Sequence, residues 1–255
     1  MSSVCPKHSL PELLQMAKRL GYQGIELRVE WQHGHGLELT STPQQLAAAR
    51  RAFQDSGIAL TSLATGCRFQ TDDKAKNAAE LEKARRYVEL AANAGAPLIR
   101  IFGDPVPTEA VALDDALQRQ ADAINSLDAL AGQHGVVLGL ETHGNLLASQ
   151  AAEVIWRAEA RHCMILWHAE HHIRNGESVD RAWAFVKSRV CHVHWRANAN
   201  DVPETEVART FPLLKNNSYD GFLSLEDINP PDSEATMKLH AEKFKEWLSR
   251  SAIPG

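Results

Sequence analysis

Short apolar runs alternate with helix-period stretches through almost the whole chain. Residues 9–20 place Leu10, Leu13, Leu14, Ala17 and Leu20 at helical spacing, with Ser9 positioned as a cap, Pro11 in the first turn and Gly21 at the end. Residues 24–29 follow, with charges set against apolar residues in strand-like alternation. The same pair of patterns then recurs. Apolar strands are predicted at 58–64, 97–103, 136–140, from Met164 onward, 190–196 and 222–226. Helices are predicted at 43–56, 72–94, 108–134, 149–161, 177–188, 202–216 and 233–249, several of them stopped by a glycine such as Gly57 or Gly95. With a short strand at residues 2–5, the chain holds about eight strand-then-helix units, one every ~32 residues, which is the scale of a barrel of that kind. Strands alternating with helices imply crossover connections and a parallel sheet. The prediction is a single-domain (β/α)8 TIM barrel spanning residues 1–255. The competing doubly wound sheet would normally carry a glycine-rich phosphate turn, and neither GxGxxG nor GxxxxGK[ST] occurs.

Composition narrows the function. With 44% hydrophobic residues the chain can bury a substantial core, and no Pro/Ser/Gly linker divides it. The formal charge is −5 with no basic stripe, which argues against a nucleic-acid partner. No apolar run approaches the ~18 residues of a membrane span, and the N-terminus lacks the apolar core of a signal peptide. Cys5, Cys67, Cys163 and Cys191 are widely spaced and read as buried free thiols, as expected of a cytoplasmic protein. Homo-oligomerisation is left open.

The chemistry gathers where apolar strands stop. The run at 136–140 ends at Glu141-Thr142-His143, that from Met164 at His168, that at 190–196 carries His192 and His194, and the last ends at Glu226. In a barrel these ends share one rim. An ionised carboxylate ending an apolar strand is costly to bury and calls for a cation, so Glu141 and Glu226 lead the ligand candidates. His194 is preferred over His192 on the expectation that only one of the two faces the interior. His168 is the fourth ligand candidate, with His171 and His172 as alternatives for its place. Carboxylate and imidazole together suit Mn²⁺, Zn²⁺ or Co²⁺ better than Mg²⁺. No cysteine lies at these ends, which argues against a structural zinc cage.

His143, His171 and Arg196 are candidates to hold substrate oxygens, and Trp167 or Trp195 to wall the pocket. Glu26 and Arg28 share a strand face and are expected to pair. Arg100, inside an apolar strand, requires a carboxylate partner. Arg68 reads as a solvated charge, and the His33-Gly34-His35 loop as a candidate lid.

These motifs resemble the xylose isomerase-like TIM barrels, the sugar isomerase/epimerase superfamily that also contains the endonuclease IV enzymes. The resemblance rests on LGYQGIELR (20–28), GIALTSLAT (57–65), AGAPLIRIFG (94–103), LGLETHGN (138–145), ILWHAEHH (165–172), HVHWR (192–196) and YDGFLSLE (219–226), in family order. It implies a divalent-metal site built from Glu, Asp, His and Glu, which correspond here to Glu141, His168, His194 and Glu226. His168 stands where the family's WDxHH pattern has aspartate, and Ala197 where its HxKD pattern has aspartate. The histidine removes one negative charge and swaps an oxygen for a nitrogen ligand, favouring Zn²⁺ or Mn²⁺ over Mg²⁺. The implied activity is isomerisation or epimerisation of a sugar or similar hydroxy-carbonyl compound through a metal-stabilised enediolate, with Glu141 and Glu226 as the proton-transferring groups. The alternatives are a non-catalytic metal- or sugar-binding barrel and, further off, an abasic-site endonuclease.

Overall fold

The computed structural model describes residues 1–199 and 201–250. Its strands are β1 (Gly24–Arg28), β2 (Ala59–Arg68), β3 (Leu98–Phe102), β4 (Val137–Glu141), β5 (Cys163–His168), β6 (Val190–Trp195) and β7 (Leu223–Leu225). Each pairs in parallel with the next, in sequence order. The helices are α1 (Leu10–Leu20), α2 (Pro43–Ser56), α3 (Lys74–Ala94), α4 (Ala110–His134), α5 (Ala148–Ala158), α6 (Ala169–Arg174), α7 (Val179–Val186), α8 (Glu204–Asn216) and α9 (Ser233–Arg250). The architecture is a nearly closed α/β barrel, as the periodicity predicts.

Local signals set most boundaries. Ser9 and Glu12 form a capping box on α1, the Ser9 N–H donating to Glu12 Oε2 at 2.8 Å. Thr42 and Gln45 do the same on α2. α4 ends at Gly135, whose φ of 63° suits a residue without a Cβ. Alternate strand residues then divide the core. Leu27, Leu63, Ile99, Ile101, Leu138, Leu140, Ile165 and Val193 belong to the main apolar cluster of buried residues that joins barrel and helices. Their neighbours Glu26, Arg100, Glu141, His168, His192 and His194, all buried, meet one another inside the ring.

Three elements differ from prediction. Residues 65–68, read as a loop, continue β2. The short helix α6 directly follows β5, where no helix was expected. The third is the N-terminal strand: Ser2–Val4 is a single 3-10 turn, so the barrel has seven strands among the described residues. The turn occupies the gap between β7 and β1 and is hydrogen-bonded to both. Met1 N donates to Leu225 O at 2.9 Å, Ser3 Oγ to Asp227 O at 2.7 Å, and the Arg28 N–H donates to Ser2 Oγ at 2.8 Å. Two serines with one branched apolar residue have little β preference, and their hydroxyls satisfy edge groups that a ladder would otherwise pair.

Ser2→Ala should leave the Arg28 N–H buried without an acceptor and lower unfolding stability by about 1–3 kcal/mol. Chemical denaturation of the two proteins measures this.

Candidate functional site

β4, β5, β6 and the residue after β7 bring four side chains to one point on the rim. One donor atom each from Glu141, His168, His194 and Glu226 lies within 4.8 Å of all the others. His194 Nδ1 is 2.9 Å from both Glu141 Oε1 and Glu226 Oε2. His168 Nδ1 is 3.1 Å and 3.2 Å from the same two oxygens. The register explains the convergence, since His168 pairs with His194 across β5 and β6 and strand residues two apart share a face.

Two imidazole nitrogens can present at most two protons to these oxygens. Glu226 Oε2 is buried beside both nitrogens yet makes no hydrogen bond. Four converging donors with an orphaned acceptor among them fit a cation at their centre.

The surroundings are equally charged. Arg100 Nη1 reaches Glu141 Oε2 at 3.2 Å and Glu226 Oε1 at 3.7 Å, supplying the carboxylate partner its burial requires. Its Nε and Nη2 donate to Thr65 O. On the far side of His194, Nε2 is 2.9 Å from Glu26 Oε2, and His192 Nε2 is 3.4 Å from that oxygen. Burial opposes ionisation of Glu26, but His194 and His192 outweigh it and hold this carboxyl well below the usual range. Glu141 and Glu226 are likewise held well down against burial, chiefly by His194. Burial opposes charge on His168 too, yet the neighbouring carboxylates of Glu141, Glu170 and Glu226 push its pKa up to about 10. His194 is raised well above its ordinary value against burial by Glu26, Glu226 and Glu141.

The other candidates divide. His143 lies at the mouth, its Nδ1 2.8 Å from Asp104 Oδ1. Gly144, with φ of 58°, allows that approach, because a Cβ there would sit 2.4 Å from Asp104 Oδ2. His171 lies on α6 with its ring 4.2 Å from His143 and 4.3 Å from His168. Burial, aided by His168 and His143, pushes its pKa down to about 2, so its imidazole is neutral. Arg196 reaches the same rim, bonded to Glu170 Oε2 at 3.1 Å.

Trp167 does not wall the mouth. It is fully buried on the outward face, its Nε1 donating to His172 Nε2 at 3.0 Å, and it packs on Trp183. Its neighbour His168 faces inward, so the strand alternation turns Trp167 out. Trp195 turns outward for the same reason, against Phe211 and Trp247. His172 is fully buried and donates from Nδ1 to Glu177 O, away from the four donors.

Other expectations need correction. His192 and His194 both face the interior, since a spacing of two preserves the face. Glu26 joins these histidines instead of pairing with Arg28. Arg68 is half-buried against Phe102, its Nε donating to Asp104 O at 3.0 Å. The His33–His35 loop is no free lid: both histidines are buried, His35 Nε2 donating to Arg28 O and His33 Nδ1 meeting Ser2 Oγ. Sequence reasoning missed Glu170, which is buried and bonded to Arg174 and Arg196. Its place between two histidine-bearing positions of an unrecognised helix was the available signal. The charged alternation in β1 was the signal for Glu26.

The sequence matches the family described as xylose isomerase-like TIM barrel over residues 14–247. Among solved structures, the fold is similar to an L-ribulose 3-epimerase, with TM-score 0.80 and 18% identity over 98% of this chain and 93% of that one. It is also similar to the 3-keto-D-glucoside 4-epimerase YcjR from E. coli, with TM-score 0.74 and 16% identity over 94% of each chain. The probable 3-DHS dehydratase AsbF from Bacillus anthracis gives TM-score 0.74 and 16% identity over 96% of this chain and 97% of that one. At these identities the likeness is one of fold. No curated protein matches the sequence.

Removing one partner of a buried ion pair strands the other charge. Arg100→Met should therefore cost about 3–5 kcal/mol of unfolding stability, read from denaturant midpoints.

Proposed function

The chain belongs to the xylose isomerase-like TIM barrel family, and from that premise we propose that it is a metal-dependent isomerase or epimerase of a sugar or sugar-like hydroxy-carbonyl compound. The observation that carries this reading is the convergence of Glu141, His168, His194 and Glu226 donor atoms within 4.8 Å at the rim. A divalent cation held by these residues supplies Lewis acidity toward a carbonyl and its neighbouring hydroxyl.

The chain's own groups supply the proton chemistry. A proton beside a carbonyl needs a base within reach and a stabilised enediolate. Glu226 is the better placed of the two carboxylates, because its side chain is 11% exposed whereas that of Glu141 is fully enclosed. Glu226 takes the proton and, in an isomerisation, returns it to the neighbouring carbon; in an epimerisation Glu141, which is tied to Arg100 and also holds the cation, returns it to the opposite face. His143, oriented by Asp104, and the neutral His171 and Arg196 hold substrate oxygens on the same rim.

One observation favours a second reading. Without a cation, the glutamates, histidines and Arg100 neutralise one another, and His168 replaces the family's aspartate. A barrel of this kind could bind ligand and perform no chemistry. Metal analysis of purified protein followed by a sugar panel separates the two readings.

Glu226→Gln should retain metal and lose at least about a hundredfold in turnover, the usual scale for a general base. Full turnover with metal still bound would sink the mechanism.

The histidines give a pH prediction. His168 keeps its proton until pH rises through about 10, and a cation must displace it. Metal affinity should therefore rise with pH between 6 and 9, by about tenfold per unit for each proton released. Calorimetry in buffers of different ionisation enthalpy should show proton release at neutral pH, and a pH-independent affinity would contradict it.

A further inference from the structure

A guanidinium has five N–H donors and cannot shed its charge, so a buried arginine without hydrogen bonds signals a missing partner. Arg28 is such a residue. Its side chain is 9% exposed, and its guanidinium makes no hydrogen bond to any described residue. Nε is buried and unpaired. The nearest carboxylate oxygen, Glu226 Oε1, lies 3.8 Å away, beyond hydrogen-bond length. That oxygen is also shared with Arg100 at 3.7 Å. The Trp31 indole covers one face of the guanidinium, with Cζ 3.8 Å from the ring centroid. Trp31 is 52% exposed, so this edge of the site opens to solvent. The stacked ring fixes the plane of the fork without using its donors.

The other arginines of the rim differ. Arg100 donates to Thr65 O and Glu141. Arg196 donates to Glu170, and Arg68 to Asp104 O and Gly66 O.

Charge balance points the same way. With the imidazoles of His168 and His194 neutral, the carboxylates Glu26, Glu141 and Glu226 face the guanidiniums Arg28 and Arg100, one negative charge in excess. A divalent cation held through neutral imidazoles reverses the sign and leaves room for one anion.

We propose that Arg28, stacked beneath Trp31, is the subsite for a carboxylate of the substrate, making the preferred substrates hydroxy-acids or sugar acids and not neutral sugars. This rests on the proposed active site, since Arg28 is placed by its distance to Glu226. A planar fork matches a carboxylate in two parallel hydrogen bonds. A phosphate dianion draws on several donors or a helix N-terminus, and the neighbouring Arg100 already gives its donors to Thr65 and Glu141.

The test is calorimetric binding of D-glycerate, dihydroxyacetone and glycerol 3-phosphate to the Mn²⁺-supplemented protein. D-Glycerate should bind at least tenfold more tightly than neutral dihydroxyacetone. Arg28→Gln should erase that difference, Arg28→Lys should restore part of it, and Trp31→Ala should weaken D-glycerate alone by about threefold. Equal binding of D-glycerate and dihydroxyacetone by the unaltered protein overturns the proposal, even if Arg28→Gln fails to fold. So does a preference that survives Arg28→Gln and disappears with chelator, since the carboxylate would then sit on the metal. Tighter binding of glycerol 3-phosphate than D-glycerate overturns the carboxylate assignment. Arg28-dependent D-glycerate binding by a protein that moves no substrate proton would refute the isomerase reading and leave this subsite standing.

Discussion

A buried charge is tolerated only when other charges or hydrogen bonds surround it, and that constraint governs the inside of this barrel. His194 is its hub. One ring nitrogen faces Glu141 and Glu226, and the other faces Glu26. Arg100 then binds the outer oxygen of Glu141 and reaches toward Glu226. No member of this set can be removed without stranding a neighbour. The apolar outer faces of the strands, packed against the helices, hold the ring of charges in place.

The same arrangement supports the proposed division of one centre between metal binding and proton transfer. The interior is closed at Glu141 and His194, which are fully enclosed, and open at Glu226, His143 and Arg196, whose side chains reach solvent. Groups on the closed side have fixed partners and suit ligation. Groups on the open side have free atoms and suit contact with a substrate. α6 contributes to both, since Glu170 ties the rim arginines together while His171 lies over His168.

Similar folds carry different names: two of the solved structures are epimerases and one a probable dehydratase. A barrel fixes where strand ends meet, not which bond is broken there. Chemistry depends on the few side chains at the rim, and in this chain those include a histidine set between two glutamates and an arginine stacked under an exposed tryptophan.

The sequence by itself determined the alternation of strands and helices, the capping of the early helices, and the strand-end positions of Glu141, His168, His194 and Glu226. Those features are local: each depends on spacing within a few residues, on a cap or on a glycine. Even the outward turn of Trp167 and the shared face of His192 and His194 were legible, because a strand repeats every two residues. Partner choice was not. Glu26 meets His194 from 168 residues away, and no local pattern specifies that one will find the other and not nearby Arg28. The 3-10 turn at Ser2–Val4 was likewise decided by tertiary structure, since its serine hydroxyls gain their acceptors and donors only when β7 and β1 are brought to either side. Secondary structure follows from short-range sterics and periodicity, whereas pairing of buried charges is settled only when the ring closes and distant strands share one interior.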